Sequence, residues 1–171
     1  MNLDRIPDGS IIFIDANIFI YAVGRKSHQC RELLQRCASH AVNGRTSTIV
    51  IAEVCHRRML IEARAKGILP ARATPQDLAK KRALLTGLAD YEQEVRDLLA
   101  GQVKVEPVLP EDFPVALTLQ KQFGLLTNDS LNLAVAKRLG LTAIATADTD
   151  FATDRGFVVY SPDDMPGSLL R

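Results

Sequence analysis

The chain has no Trp, six Phe and three Tyr in 171 residues. So little aromatic surface argues against a base-stacking platform as the main feature of any nucleic-acid role. Cys is scarce and odd in number, at three residues, which argues against a disulfide framework and for a reducing compartment. His28, His40 and His56 are scattered, and Cys55-His56 stands alone, so no zinc-type ligand spacing is present. Neither G-x-x-x-x-G-K nor G-x-G-x-x-G occurs, which argues against a nucleotide-cofactor enzyme. No apolar run reaches transmembrane length, and the longest, IIFIDANIFIYA, is interrupted by Asp15 and Asn17. The opening MNLDRIPDGS is polar and carries no signal-type apolar core. These absences lead us to expect a cytoplasmic protein with reduced thiols and no membrane association.

What is present suits one globular domain over residues 1–171, with 47% hydrophobic and 24% charged residues. The net charge of +1 is unevenly spread. Residues 24–66 hold nine Lys/Arg against three Asp/Glu, whereas the remainder holds twelve against seventeen. Such a split suits a surface for phosphates beside a surface for metal, though Arg-rich helix faces alone would also produce it.

Apolar runs and helical periodicities alternate along the chain. Residues 11–15 read as a buried strand, followed by a short helix that Asn17 could cap and Gly24 ends. A helix over 27–42 has Ser27 as its cap and Cys30 and Cys37 as core residues on one face. A brief strand over 46–48 precedes a helix over 49–66 that contains Glu53. Thr74-Pro75 opens helical spacing that continues to residue 100, with a break near Thr86-Gly87. Then come a strand over 103–108, a helix over 111–123, a helix over 128–139 capped at Asn128, and strands over 141–148 and 156–162. The pattern predicts a three-layer α/β/α sandwich with a central parallel sheet and an extra helical stretch around 67–102. In such sheets ligands sit at the carboxyl ends of the strands.

Two acids obey that rule: Asp15 ends IIFID, and Asp148 ends AIATAD. Either alone is readily explained as a helix cap; both together point to a site. Asp129 falls at a helix start, where the helix dipole alone would favour it. Glu53 lies in the apolar context TIVIAEVCHRRML, and a surface pair with Arg57 four residues on would also account for it. Asn17, Thr146 and Asp150 are polar neighbours able to orient a water or a carboxylate.

The ordered set DANIFIYA, AEVCHR, TNDSLNLAVAKRLG and IATADTDF resembles the PIN-domain nucleases, and most of all the VapC-type toxins. The match in order and context spans nearly the whole chain, with residues 67–102 as the departure. The resemblance implies a PIN-like fold and metal-dependent cleavage of RNA to 5′-phosphate and 3′-hydroxyl ends. It implies Asp15, Glu53, Asp129 and Asp148 as catalytic residues, with Asp15, Asp129 and Asp148 holding Mg²⁺ or Mn²⁺. Clustered carboxylates repel one another unless a cation lies among them, and hard cations take oxygen ligands. Arg25, Lys26, Arg57 and Arg58 are candidates for the RNA backbone. A cognate antitoxin and a homodimer follow from the resemblance alone.

Two alternatives remain open at this level. The same fold could serve as a non-catalytic RNA- or protein-binding module. A phosphatase of the haloacid dehalogenase type also begins with Asp after a first strand, but it calls for a second Asp two residues on, where this chain has Asn17.

Overall fold

The apolar run that ends in Asp15 forms β1 (Ile11–Ile14), whose Ile12, Phe13 and Ile14 are fully buried. A computed structural model describes residues 1–148, 151 and 156–165 of the chain. From β1 the chain turns directly into α1 (Ala16–Val23) and then α2 (His28–Ala38), with the Ser27 hydroxyl capping α2 through the Cys30 N–H. Strand β2 (Asn43–Ser47) leads into α3 (Thr48–Ala65). Three short helices follow: α4 (Pro75–Ala79), α5 (Arg82–Leu85) and α6 (Asp90–Ala100). Strand β3 (Lys104–Glu106), α7 (Asp112–Phe123), α8 (Thr127–Arg138), β4 (Ala143–Ala145) and β5 (Val158–Tyr160) complete the described residues.

The five strands are all parallel, in the order β3-β2-β1-β4-β5. Connections move outward from β1 through β2 to β3, then cross back to β4 and β5. Right-handed crossovers therefore put α1 to α6 on one face and α7 and α8 on the other. The result is the expected α/β/α sandwich. Its topological switch point lies between β1 and β4, where ligand crevices open in sheets of this kind.

Several boundaries differ from the sequence reading. Strand β2 begins three residues earlier than expected, because its sequence NGRTS is polar and gives no hydrophobic signal. Gly44 is required there: a Cβ would lie 2.9 Å from Ile14 Cδ1 and 3.0 Å from Cys37 Sγ. The helical spacing over 75–100 is three pieces, with the expected break near Thr86-Gly87 and a further one at Lys81. Lys81 leaves the helical region after α4, and α6 starts afresh at Asp90. Asn128 does not cap α8. The Ser130 N–H bonds the Leu126 carbonyl at 3.0 Å, which makes Leu126 the cap and places Asp129 inside the first turn.

The main core lies around the sheet and includes Cys30 and Cys37, as expected. A second small core joins Leu60 and Ala63 of α3 to Leu69, Leu78 and Leu88. Buried Glu62 fastens this extra stretch by accepting the Ala89 and Tyr91 N–H groups, both at 2.9 Å, and pairing with Lys66. Among the described residues no helix is long and apolar enough to cross a membrane.

Candidate active site at the carboxyl edge of the sheet

Asp15 stands where β1 passes into α1, only 6% exposed. It holds the N-cap position, yet its carboxylate makes no capping bond. Instead Oδ2 accepts from the Thr146 hydroxyl at 2.8 Å and the Asn17 amide at 3.2 Å. Asn17 is thus not the cap expected from the sequence; Asp15 holds that place, and Asn17 lies within α1 with its amide on Asp15. Thr146, just past β4, also accepts the Asp148 N–H at 3.0 Å. One hydroxyl so joins the ends of the two central strands. Burial pushes the Asp15 carboxyl above its ordinary range; the Thr146 hydroxyl and the Ala16 N–H lower it, and the charges of Glu53 and Asp148 raise it further.

Glu53 sits in the second turn of α3, partly exposed, 3.2 Å from Arg57 Nη1. Arg57 also donates to Asn17 Oδ1 at 2.7 Å. Glu53 therefore pairs with Arg57, and its charge reaches Asp15. The sequence could not show that Asn17 bridges Arg57 to Asp15.

Asp129 is half-buried in the first turn of α8. That helix runs back toward β4, so its N-terminus lies at the carboxyl edge of the sheet. Asn132, one turn further on, accepts the buried Ser47 hydroxyl at 2.6 Å, and Ser47 in turn caps α3 through the Val50 N–H at 3.1 Å. This link sets the helix carrying Asp129 against the helix carrying Glu53. Sequence reading missed both Ser47 and Asn132. A Ser-Thr pair just before an apolar helix was the available signal for the cap, and nothing in the sequence marked its partner.

The fold so brings Asp15, Glu53 and Asp148 within electrostatic reach and sets Asp129 on the same edge. Among the described residues, no three carboxylates, imidazoles or thiols lie close enough to form a metal cage. The donor chemistry nevertheless fits a hard divalent cation: every candidate ligand is an oxygen, and the charges of Glu53 and Asp148 add to the cost that burial sets on ionising Asp15. Asp150 lies outside the described residues. Of the basic candidates, Arg25 and Lys26 follow α1 and are exposed, whereas Arg58 grips Glu94 of α6 through two bonds of 2.6 and 2.5 Å.

A family model described as the PIN domain matches residues 12–154. The chain belongs to the PIN-domain family. Its fold is similar to that of a toxin–antitoxin complex chain from Klebsiella pneumoniae, with 20% identity, TM-score 0.55 and coverage of 86% of this chain and 95% of that one. It is also similar to a chain of VapBC2 from Rickettsia felis, bound to a DNA fragment from its promoter, with 16% identity, TM-score 0.58 and coverage of 90% and 99%. A third likeness is to Mycobacterium tuberculosis VapC20, a sarcin-ricin loop cleaving toxin, with 18% identity, TM-score 0.54 and coverage of 86% and 96%. At such identities the likeness concerns the PIN fold. No curated protein matches the chain in sequence.

Proposed function

We propose that this PIN-domain protein is a divalent-metal-dependent endoribonuclease and the toxin of a toxin–antitoxin pair. The observation that carries the reading is Asp15: a buried carboxylate at the switch point of the sheet, oriented by Asn17 and Thr146 and facing two further acids. In this reading Asp15, Asp129 and Asp148 hold Mg²⁺ or Mn²⁺, and Glu53 adds a ligand or orients the attacking water. The ion supplies an activated water and neutralises charge on the phosphoryl group. The chain's own groups hold geometry: Thr146 and Asn17 fix the Asp15 carboxylate, and Arg57 keeps Glu53 at the edge of the site. Product ends of 5′-phosphate and 3′-hydroxyl, a cognate antitoxin over the acidic edge and a homodimer belong to the same proposal.

The test is cleavage of RNA by the purified protein. Cleavage is expected in Mg²⁺ or Mn²⁺ and should stop in EDTA. Undiminished cleavage in EDTA, or none with either ion, would overturn the assignment.

A second reading that the PIN fold also admits is a non-catalytic RNA- or protein-binding module. Thermal melting with Mn²⁺ separates the two. A resident ion at a hundredfold excess over its Kd stabilises by about 2.7 kcal/mol, and a melting temperature indifferent to Mn²⁺ supports the module.

A further inference from the structure

Between α1 and α3, linked to the acidic edge through Arg57, lies an open pocket of about 440 Å³. Its charged lining is entirely basic: Lys26, Arg57 and Arg64, with no carboxylate among the lining residues. Tyr21, Leu60 and Ile61 supply an apolar wall. Building on the nuclease reading, we propose that this pocket is a subsite for one nucleotide of single-stranded RNA flanking the scissile bond. Lys26 and Arg64 hold its phosphate, and the apolar wall takes its sugar and base.

Three observations carry this. First, the pocket connects to the site through one residue. Arg57 lines it and also donates to Asn17, whose amide bonds Asp15. That chain of bonds joins the basic pocket to the buried acid.

Second, the two cations assigned to phosphate are not neutralised. Among the described residues Lys26 forms no ion pair, and Arg64 donates to the Ala73 carbonyl at 2.8 Å without meeting a carboxylate. Arg57 is different, because Glu53 already balances it. Pairing also separates Arg58 from the pocket, since it is held by Glu94.

Third, the backbone holds Lys26 in place. Arg25 adopts φ 52°, a left-handed conformation unusual for a residue with a side chain, and the Lys26 N–H bonds the Tyr21 carbonyl at 2.8 Å. The turn thus folds back over the end of α1 and aims Lys26 along the pocket rim.

A polar mouth with an apolar wall, of this volume, suits a nucleotide better than a bare anion. Phosphate contacts of this kind position a strand without reading its sequence.

The test is the affinity of a fluorescein-labelled single-stranded RNA heptamer, read by anisotropy in EDTA so that no cleavage intervenes, across a salt series. Lys26→Ala and Arg64→Gln should each weaken binding roughly three- to tenfold and lower the salt slope by about 1, the signature of one lost phosphate contact. Lys26→Arg and Arg64→Lys should restore both. Lys26 is exposed, so its variants keep the fold, which melting curves verify. Unchanged affinity and slope in both charge-removing variants would overturn the subsite. So would a hexaglutamate peptide binding through Lys26 as tightly as the RNA, which would mark the pocket as a seat for an acidic protein segment. Failure here and failure of the nuclease reading are distinguishable. Asp15-dependent cleavage with Lys26-indifferent RNA binding removes the pocket alone. Lys26-dependent RNA binding by a protein that cleaves nothing keeps the pocket and removes the nuclease.

Discussion

Asp15 places a carboxyl at the end of a strand whose Ile12, Phe13 and Ile14 are buried, and burial first, then the charges of Glu53 and Asp148, raise the cost of ionising it. An acid whose folded pKa is raised is a liability above its unfolded value of 3.8. In that range the unfolded chain gives up the proton more readily, so stability falls as pH rises through the window. Asp15→Asn should therefore raise the melting temperature in EDTA at pH 7, by about 2–4 °C, and flatten that part of the pH profile. A lower melting temperature would mean that the carboxylate is a structural group. Thr146→Val removes the hydroxyl that joins Asp15 to the Asp148 loop, and a loss of about 10–100-fold in metal affinity or activity is expected. Calorimetric Mn²⁺ titration of this variant checks it. Asp15 and Asp148 drew attention in the sequence because each ends an apolar strand, and Glu53 because it sits in an apolar helix. The bonds among Asp15, Asn17 and Arg57 were not legible there, because each joins residues whose proximity only the folded chain creates.

Among the elements, most with a periodic apolar face were foreseen within a few residues, whereas the break at Lys81 and the polar start of β2 were not. Strand β2 was foreseen only over 46–48, because it satisfies its buried Thr46 and Ser47 by side-chain bonds to the Ile14 carbonyl and to Asn132 rather than by being apolar. The cap of α2 was legible only in part. Ser27 was foreseen, but Asp164, 136 positions away from His28, also bonds the first N–H groups of that helix.

The stretch over 67–102 hangs on Glu62. Burial pushes its carboxyl up, but the Lys66 ammonium and the Tyr91 and Ala89 N–H groups outweigh it and bring the pKa to about 2. A lowered acid stabilises above its unfolded value of 4.5, and that contribution is lost as pH falls from there toward about 2. Glu62→Gln should destabilise by about 1–3 kcal/mol and blunt the acid limb. Hydrogen exchange should locate the loss at the start of α6. Equal protection of the Ala89 and Tyr91 amides in variant and wild type would refute that anchoring.

Over the whole molecule, one topological fact organises the rest. A parallel sheet that reverses its winding at β1 has a crevice beside the ends of β1 and β4, and that is where Asp15 and Asp148 fall. The fold class was readable because alternating strands and helices leave few alternatives. The uneven charge noted in the sequence becomes a spatial arrangement: acids at the carboxyl edge, and Lys26, Arg57 and Arg64 around one pocket that Arg57 links to them.

The claim that Asp15 organises a phosphodiesterase site is tested most directly by the single-turnover rate of RNA cleavage in saturating Mn²⁺, wild type against Asp15→Asn. Loss of one pre-organised charge at a reacting centre costs about 10²–10³-fold. A fall of that size in a variant that melts no lower than the wild type is the predicted result. Equal rates would contradict the account.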